Sequence, residues 1–273
     1  MNGVESPQIG MIGVGNMGMA VARRLRAAGR AVTVYARRDS VIEEARAIGA
    51  PAAESIPALG AASDVVIVNV FSDEQLRDVA LGDGGVVAHM RPGTCFVNHV
   101  TGRPSTVRDV AAAGAARGVR TLDCAMSGGA HDIDAGNLVL LVGGDVDLLE
   151  SLRPMLAAYS DPILHVGAVG DGQTVKLLNN ALFGAHVALA VRIERSAREL
   201  GMNPAEVLPA IQACSGGSYA LNLAAMMGSA DALVEGARKY IEKDVAVVAE
   251  VTAEVGVDLG SLLAVASEIE RAR

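Results

Sequence analysis

The spacing of apolar and polar positions divides this chain into two textures. In the first, short apolar runs alternate with longer mixed stretches. Residues 8–12 predict a strand that runs straight into a glycine-rich turn, and residues 17–28 predict a helix ended by Gly29. Residues 31–35 predict a second strand, after which Asp39 or Ser40 can cap a helix at 41–48. Residues 64–70 are nearly all apolar, as expected for a parallel strand covered on both faces. Further strands are predicted at 94–98, after Pro92-Gly93, and at 120–125, 138–142 and 162–166, with a helix at 145–158. Strands alternating with helical stretches predict an α/β, doubly wound Rossmann-type domain over residues 1–167.

No strand is expected over residues 168–273. Residues 173–200 read as one long apolar helix with a charged end, Arg192-Ile193-Glu194-Arg195. Asn203-Pro204 supplies a cap followed by proline at the first turn of the next helix. Helices near 219–227, 231–255 and 260–272 complete an all-α C-terminal domain.

Composition narrows the partners. Four tyrosines, three phenylalanines and no tryptophan leave the core to Ala, Val, Leu, Ile and Met. A net charge of -8 argues against nucleic acid, whose phosphates need clustered Lys and Arg. No uninterrupted apolar run approaches the roughly 20 residues that span a bilayer, and the start lacks the basic and apolar regions of a signal peptide. Cys95, Cys124 and Cys214 are odd in number and far apart, so reduced thiols and a cytoplasmic location are expected. No metal-ligand spacing occurs among Cys, His and carboxylates, so no metal is expected.

The turn Gly13-Val14-Gly15-Asn16-Met17-Gly18 lies between a predicted strand and a predicted helix. There the first glycine permits a tight turn, the second lets backbone approach a pyrophosphate, and the third lets helix and strand pack closely. The helix start would direct N–H groups and its positive dipole end at the phosphates. An NAD site usually closes the second strand with an acid; here Tyr35-Ala36-Arg37-Arg38 stands instead. Guanidinium groups suit a 2′-phosphate, so NADP(H) is favoured, with NAD(H) kept open. Two solvated arginines on a loop are the plainer alternative.

Lys176 and Asn180 are four apart and so share one helix face. A lysine in an apolar helix is costly unless it reaches a cleft or a partner. Desolvation and a neighbouring cation can lower its pKa enough for it to move a proton.

Five ordered motifs resemble the β-hydroxyacid dehydrogenase family over nearly the whole chain. They are the Gly13–Gly18 turn with Met19-Ala20, and Thr101-Gly102-Arg103-Pro104. Then come Asp123-Cys-Ala-Met-Ser-Gly-Gly129 with Ala135-Gly-Asn-Leu138 and Gly143-Gly144, the stretch from Gly170 to Asn180, and Lys243-Asp244. The resemblance implies Lys176 as general acid/base, with Asn180 helping to orient substrate. It implies Ser127, Gly128 and Gly129 as binders of a substrate carboxylate, Thr101 near nicotinamide and substrate, and Lys243 beside the cofactor. Physics agrees for the glycines, since closely spaced N–H groups and a hydroxyl can wrap an anion without a basic side chain.

The chain departs from the family pattern at Val100, Ala125-Met126 and His131-Asp132, all in or beside the implied substrate pocket. It also ends at Arg273, earlier than many relatives, which implies a shortened cover for the cleft or the subunit interface. The expectation is an NADP-dependent oxidoreductase of a small 3-hydroxy acid and its semialdehyde, assembled as a homodimer or homotetramer. An imine reductase of the same fold and a non-catalytic NADP(H)-binding module are the alternatives, and Lys176 weighs against both.

Overall fold

The computed structural model describes residues 7–254 and 256–268. It divides into two compact units, Met1–Lys176 and Leu177–Arg273.

The first unit holds one seven-stranded sheet. Its strands are β1 (Ile9–Ile12), β2 (Val32–Tyr35), β3 (Val65–Val68), β4 (Cys95–Asn98), β5 (Arg120–Ser127), β6 (Leu138–Gly143) and β7 (Ser160–Gly167). They lie in the order β2-β1-β3-β4-β5-β6-β7. The helices of this unit are α1 (Asn16–Ala27), α2 (Asp39–Ala47), α3 (Ile56–Ala62), α4 (Asp73–Leu81), α5 (Pro104–Ala115), α6 (Ala130–Ala135) and α7 (Val146–Leu156).

β1, β3 and β4 are buried at every position, which explains why Asn98 is their only polar residue. Alternate side chains feed two separate cores: Ile9, Val65, Ile67 and Val97 join one, and Ile12, Val66, Val68 and Phe96 join the other. The strand order reverses at β1, which stands between β2 and β3. In open α/β sheets a ligand crevice forms at that point, beyond the carboxyl ends of the strands.

Two details differ from the sequence expectation. α2 begins at Asp39, with Arg38 as an N-cap that makes no side-chain bond. Asp39 is thus a first-turn acid facing the helix dipole rather than the cap. β6 runs antiparallel to β5, while every other pair is parallel. Only residues 128–137 join β5 to β6, too short a path to cross the sheet and return in the same sense.

α8 (Asp171–Glu199) contains the division between the units. The second unit continues with α9 (Pro204–Gln212), α10 (Tyr219–Met227), α11 (Ala230–Glu254) and α12 (Ser261–Ala266). Asn203 caps α9, its Oδ1 accepting from Ala205 N at 3.1 Å. Val187, Val191, Leu208, Leu221, Val234 and Ile241 form the centre of this all-helical core. Val255 and residues 269–273, parts of the last two expected helices, lie outside the described residues. α8 is long and apolar enough to cross a membrane by length and composition, but 56% of its most apolar window is buried inside the protein.

Candidate functional site

The glycine turn joins β1 to α1 at the strand-order switch. Gly13 has φ +89°, and a Cβ there would lie 2.3 Å from Asn69 O. A Cβ on Gly18 would lie 2.2 Å from Gly13 O. The chain's own packing therefore demands both glycines. Gly15 is different: its φ of -73° is ordinary and a Cβ would meet nothing within 4 Å. It is the N-cap of α1, where no side chain satisfies the first N–H groups. Open space before a bare helix start is the cradle that a pyrophosphate fills, so these residues fit a dinucleotide. Val14 is buried beneath the turn, Asn16 is exposed on it, and Met17 packs partly against the core.

A depression of about 250 Å³ extends from Gly15 and Asn16 past Arg23 to Arg38 and Glu44. Arg23 is already balanced by Asp134 at 2.9 Å and Glu44 at 3.8 Å. Arg37 and Arg38 are both exposed, and among the described residues neither guanidinium enters an ion pair. Only Arg38 of the two lines the depression.

Ser127 closes β5 and is half-buried, while Gly128 is exposed with φ +128°. Gly129 is the N-cap of α6, and its N–H donates to Asp132 Oδ2 at 2.7 Å. A Cβ on Gly128 would lie 2.6 Å from the same oxygen. His131 Nε2 stands 3.3 Å from Asp132 Oδ2 with its side chain 77% exposed. One N–H of the expected anion-binding loop is thus held by the protein's own carboxylate. The Asp132 departure is visible in the sequence, but this consequence of it is not.

Lys176 lies half-buried in α8, in the same unit as the Ser127 loop and the glycine turn. One turn earlier stands Gln173, which is completely buried. Its N–H donates to Asp123 Oδ2 at 2.9 Å and its Nε2 donates to Asp123 Oδ1 at 2.6 Å. Its Oε1 accepts from Gly102 N at 2.9 Å. Asp123 is also fully buried; burial raises its pKa, and hydrogen bonds from Gln173 and Asn98 pull it part-way back. Thr101, half-buried, precedes Gly102 in the loop after β4. Asp73 ties down the far side of that loop, accepting from Arg103 N at 2.8 Å and Thr106 Oγ1 at 2.6 Å. Neither Asp123 nor Gln173 stands out in the sequence as a site residue. The available signal was one acid flanked by the apolar residues Leu122, Cys124, Ala125 and Met126.

Asn180 and Lys243 belong to the second unit and converge on Asp244. Asn180 Nδ2 donates to Asp244 Oδ2 at 2.7 Å, and Asn180 Oδ1 accepts from Asn179 Nδ2 at 3.2 Å. Lys243 Nζ is 3.1 Å from Asp244 Oδ1, an ion contact without hydrogen-bond alignment.

Comparison with known proteins settles the family. Residues 8–167 match the model described as the NAD binding domain of 6-phosphogluconate dehydrogenase. Residues 170–273 match the one described as NAD-binding of NADP-dependent 3-hydroxyisobutyrate dehydrogenase. The chain belongs to the β-hydroxyacid dehydrogenase family. The chain is 35% identical over 222 residues to an NAD-dependent L-serine dehydrogenase of Pseudomonas aeruginosa, covering 79% of the chain and 72% of that relative. It is 33% identical over 215 residues to a 3-hydroxyisobutyrate dehydrogenase of the same organism, with coverage of 79% and 72%. Among solved structures, 3-hydroxyisobutyrate dehydrogenase of Mycobacterium tuberculosis with L-serine matches at TM-score 0.86 and 25% identity, over 97% of this chain and 93% of that one. The protein is a hydroxyacid oxidoreductase with a nicotinamide-cofactor domain.

Proposed function

We propose that this oxidoreductase interconverts a small 3-hydroxy acid and the matching semialdehyde, with NADP(H) as cofactor and Lys176 as general acid/base. The observation that carries the reading is the anchoring of the Lys176 helix. Its first turn is bonded through Gln173 both to β5, four residues before Ser127, and to the Thr101 loop.

Bound at the Gly13–Gly18 turn, the nicotinamide cofactor supplies or accepts hydride. Lys176 Nζ gives a proton to the carbonyl oxygen during reduction and removes it from the hydroxyl during oxidation. The Ser127 hydroxyl and the Gly128 backbone hold the substrate carboxylate, and Gly129 joins them only when Asp132 releases its N–H. Asn180 orients substrate, while Thr101 and Lys243 serve the nicotinamide side. Arg38, with Arg37 beside it, takes the 2′-phosphate; the depression reaching Arg38 supports this. L-serine and 3-hydroxyisobutyrate, named in relatives, share a carboxylate and a β-hydroxyl, so both fit the proposed class. The same proposal places the protein in the cytoplasm as a homodimer or homotetramer. Leu178, Leu182, Leu189 and Ile193, each at least 40% exposed along one stripe of α8, support self-association.

The test is oxidation of NADPH and NADH against a panel of semialdehydes. Lys176→Ala should lower turnover about 10²- to 10⁴-fold while NADPH still binds, and native turnover in that variant would refute the role. Arg38→Ala should weaken NADPH about tenfold and leave NADH unchanged; equal effects on both would refute the 2′-phosphate assignment.

A further inference from the structure

We propose that Gln173 is a positioning residue that holds Lys176 and the Thr101 loop in register through one buried amide. The proposal rests on the reading of Lys176 as the proton-transfer group.

A side-chain amide carries a donor and an acceptor at the same end. In Gln173 the two serve opposite neighbours, the donor meeting Asp123 and the acceptor meeting Gly102 N. The backbone N–H of the same residue reaches the second Asp123 oxygen. Three bonds from one residue fix the rotation and the axial position of the first turn of α8. The preceding residue leaves no slack: a Cβ on Gly172 would lie 2.7 Å from Leu141 O and 2.9 Å from Asp123 O.

The chemistry of the position is narrow. Leucine would fill a similar volume but offer neither bond. Lysine or arginine could donate to Asp123 but could not accept from Gly102. An ionised glutamate would bring a second carboxylate against a fully buried one. Filling space alone would need no such polarity.

Lys176 follows three residues later, roughly 4.5 Å along the axis and on the adjoining face. Thr101 is the immediate neighbour of Gly102. The lysine and the threonine are therefore both tied to one anchor, Lys176 three residues along the helix from Gln173 and Thr101 one residue from the Gly102 N–H from which Gln173 accepts. A displacement of about 1 Å at reacting groups can cost about 100-fold in rate, so the anchor acts on turnover more than on binding.

The test compares Gln173→Leu and Gln173→Glu with the native protein for kcat, substrate KM, NADPH affinity and thermal midpoint. Gln173→Leu should lower kcat about 100-fold with NADPH affinity within about threefold, because the pyrophosphate turn is built from other residues. In Gln173→Glu the new carboxyl, while protonated, can donate to Asp123 and accept from Gly102 as the amide does. Its kcat should approach the native value near about pH 5.5 and fall to that of Gln173→Leu near about pH 8.5, as expected when one proton is shared by two carboxyls. The other charged groups at this helix start are Asp171 and Arg108, 4.0 Å apart and common to all three proteins. A profile parallel to the native one overturns the proposal. So does a loss of kcat, NADPH affinity and thermal midpoint together at every pH, which is the mark of a merely structural role.

A second readout does not depend on turnover. The chain has only three lysines, among them Lys176 and Lys243, so amine acylation mapped by mass spectrometry resolves each. Gln173→Leu should change the Lys176 rate about fivefold and leave Lys243 unchanged. An unaltered Lys176 rate overturns the positioning role. Native turnover in Lys176→Ala would instead remove the proton-transfer reading, and the labelling result would still decide the anchor.

Discussion

Among the described residues two carboxylates are fully buried, and both cap a helix, but their charges are compensated differently. Glu194 accepts from the N–H groups of Ala230 and Asp231 at the start of α11 and from the Ser229 hydroxyl at 3.1 Å. It also pairs with the Arg198 guanidinium one turn away. Asp123 caps the start of α8, yet its partners are an amide, a backbone N–H and Asn98. A cation and a helix dipole together make Glu194 a fastener of the second unit. Asp123 keeps its burial cost, and under the proposed role of Lys176 the orientation of the first turn of α8 is the return. If the proposal holds, the comparison separates a carboxylate kept for stability from one kept for geometry.

Removing the fastener should have the largest effect. Glu194→Ala should cost about 3 kcal/mol in urea unfolding, discounted because Arg198 is half exposed, with kcat per folded molecule unchanged. Next comes acid sensitivity, which should belong to the first unit. His99 is buried, with Nδ1 2.7 Å from Cys124 O and Nε2 2.8 Å from the Tyr159 hydroxyl. Burial lowers its pKa from 6.5 to about 4. Because the folded value is depressed, its stabilisation is complete above pH 6.5 and is lost as pH falls toward 4. That amounts to about 2 kcal/mol between about pH 6.5 and 5, and His99→Gln should flatten the slope in a urea series. Asp123 runs the other way: its raised pKa contributes most below the unfolded carboxylate value of 3.8 and fades as pH rises through the folded one. An equally steep slope in His99→Gln would remove the assignment.

Asp123→Asn should cost only about 1–2 kcal/mol, since one of the two acceptors is lost, yet kcat should fall further than that stability change explains. If Glu194→Ala and Asp123→Asn both reduced stability alone, the distinction between them would collapse. The smallest effect concerns Asp132. Asp132→Ala should lose about 1 kcal/mol of helix capping and lower KM for a carboxylate substrate several-fold, by freeing Gly129 N–H. A raised KM would mean that the loop needs Asp132 to keep its shape.

Local signals were the legible ones. The apolar run at β3, the glycine turn and the Asn203-Pro204 cap each announce themselves within a few residues, and each is where the sequence places it. α3 and α6, with seven and six residues, are too short to establish a helical period, so the sequence did not resolve them individually. Neither the direction of β6 nor the choice of Arg38 over Arg37 along the depression can be read from residue types, since both depend on the path of the backbone. The Asp123–Gln173 bond joins residues 50 apart, and nothing local to either names the other. Its two members were visible as residues of known motifs and invisible as a pair.

The reversed strand gives the molecule a modular inheritance. β5 and β6 pair locally, from Asp123 opposite Gly143 to Ser127 opposite Val139, so the segment between them is a closed excursion that leaves and re-enters the sheet at one edge-to-edge seam. Such a segment can be lengthened without re-threading the parallel strands that carry the nucleotide turn. One tie to that half remains: Asp134 of the excursion pairs with Arg23 of α1 and lines the same depression as Gly15 and Arg38, so a change there is felt beside the nucleotide turn.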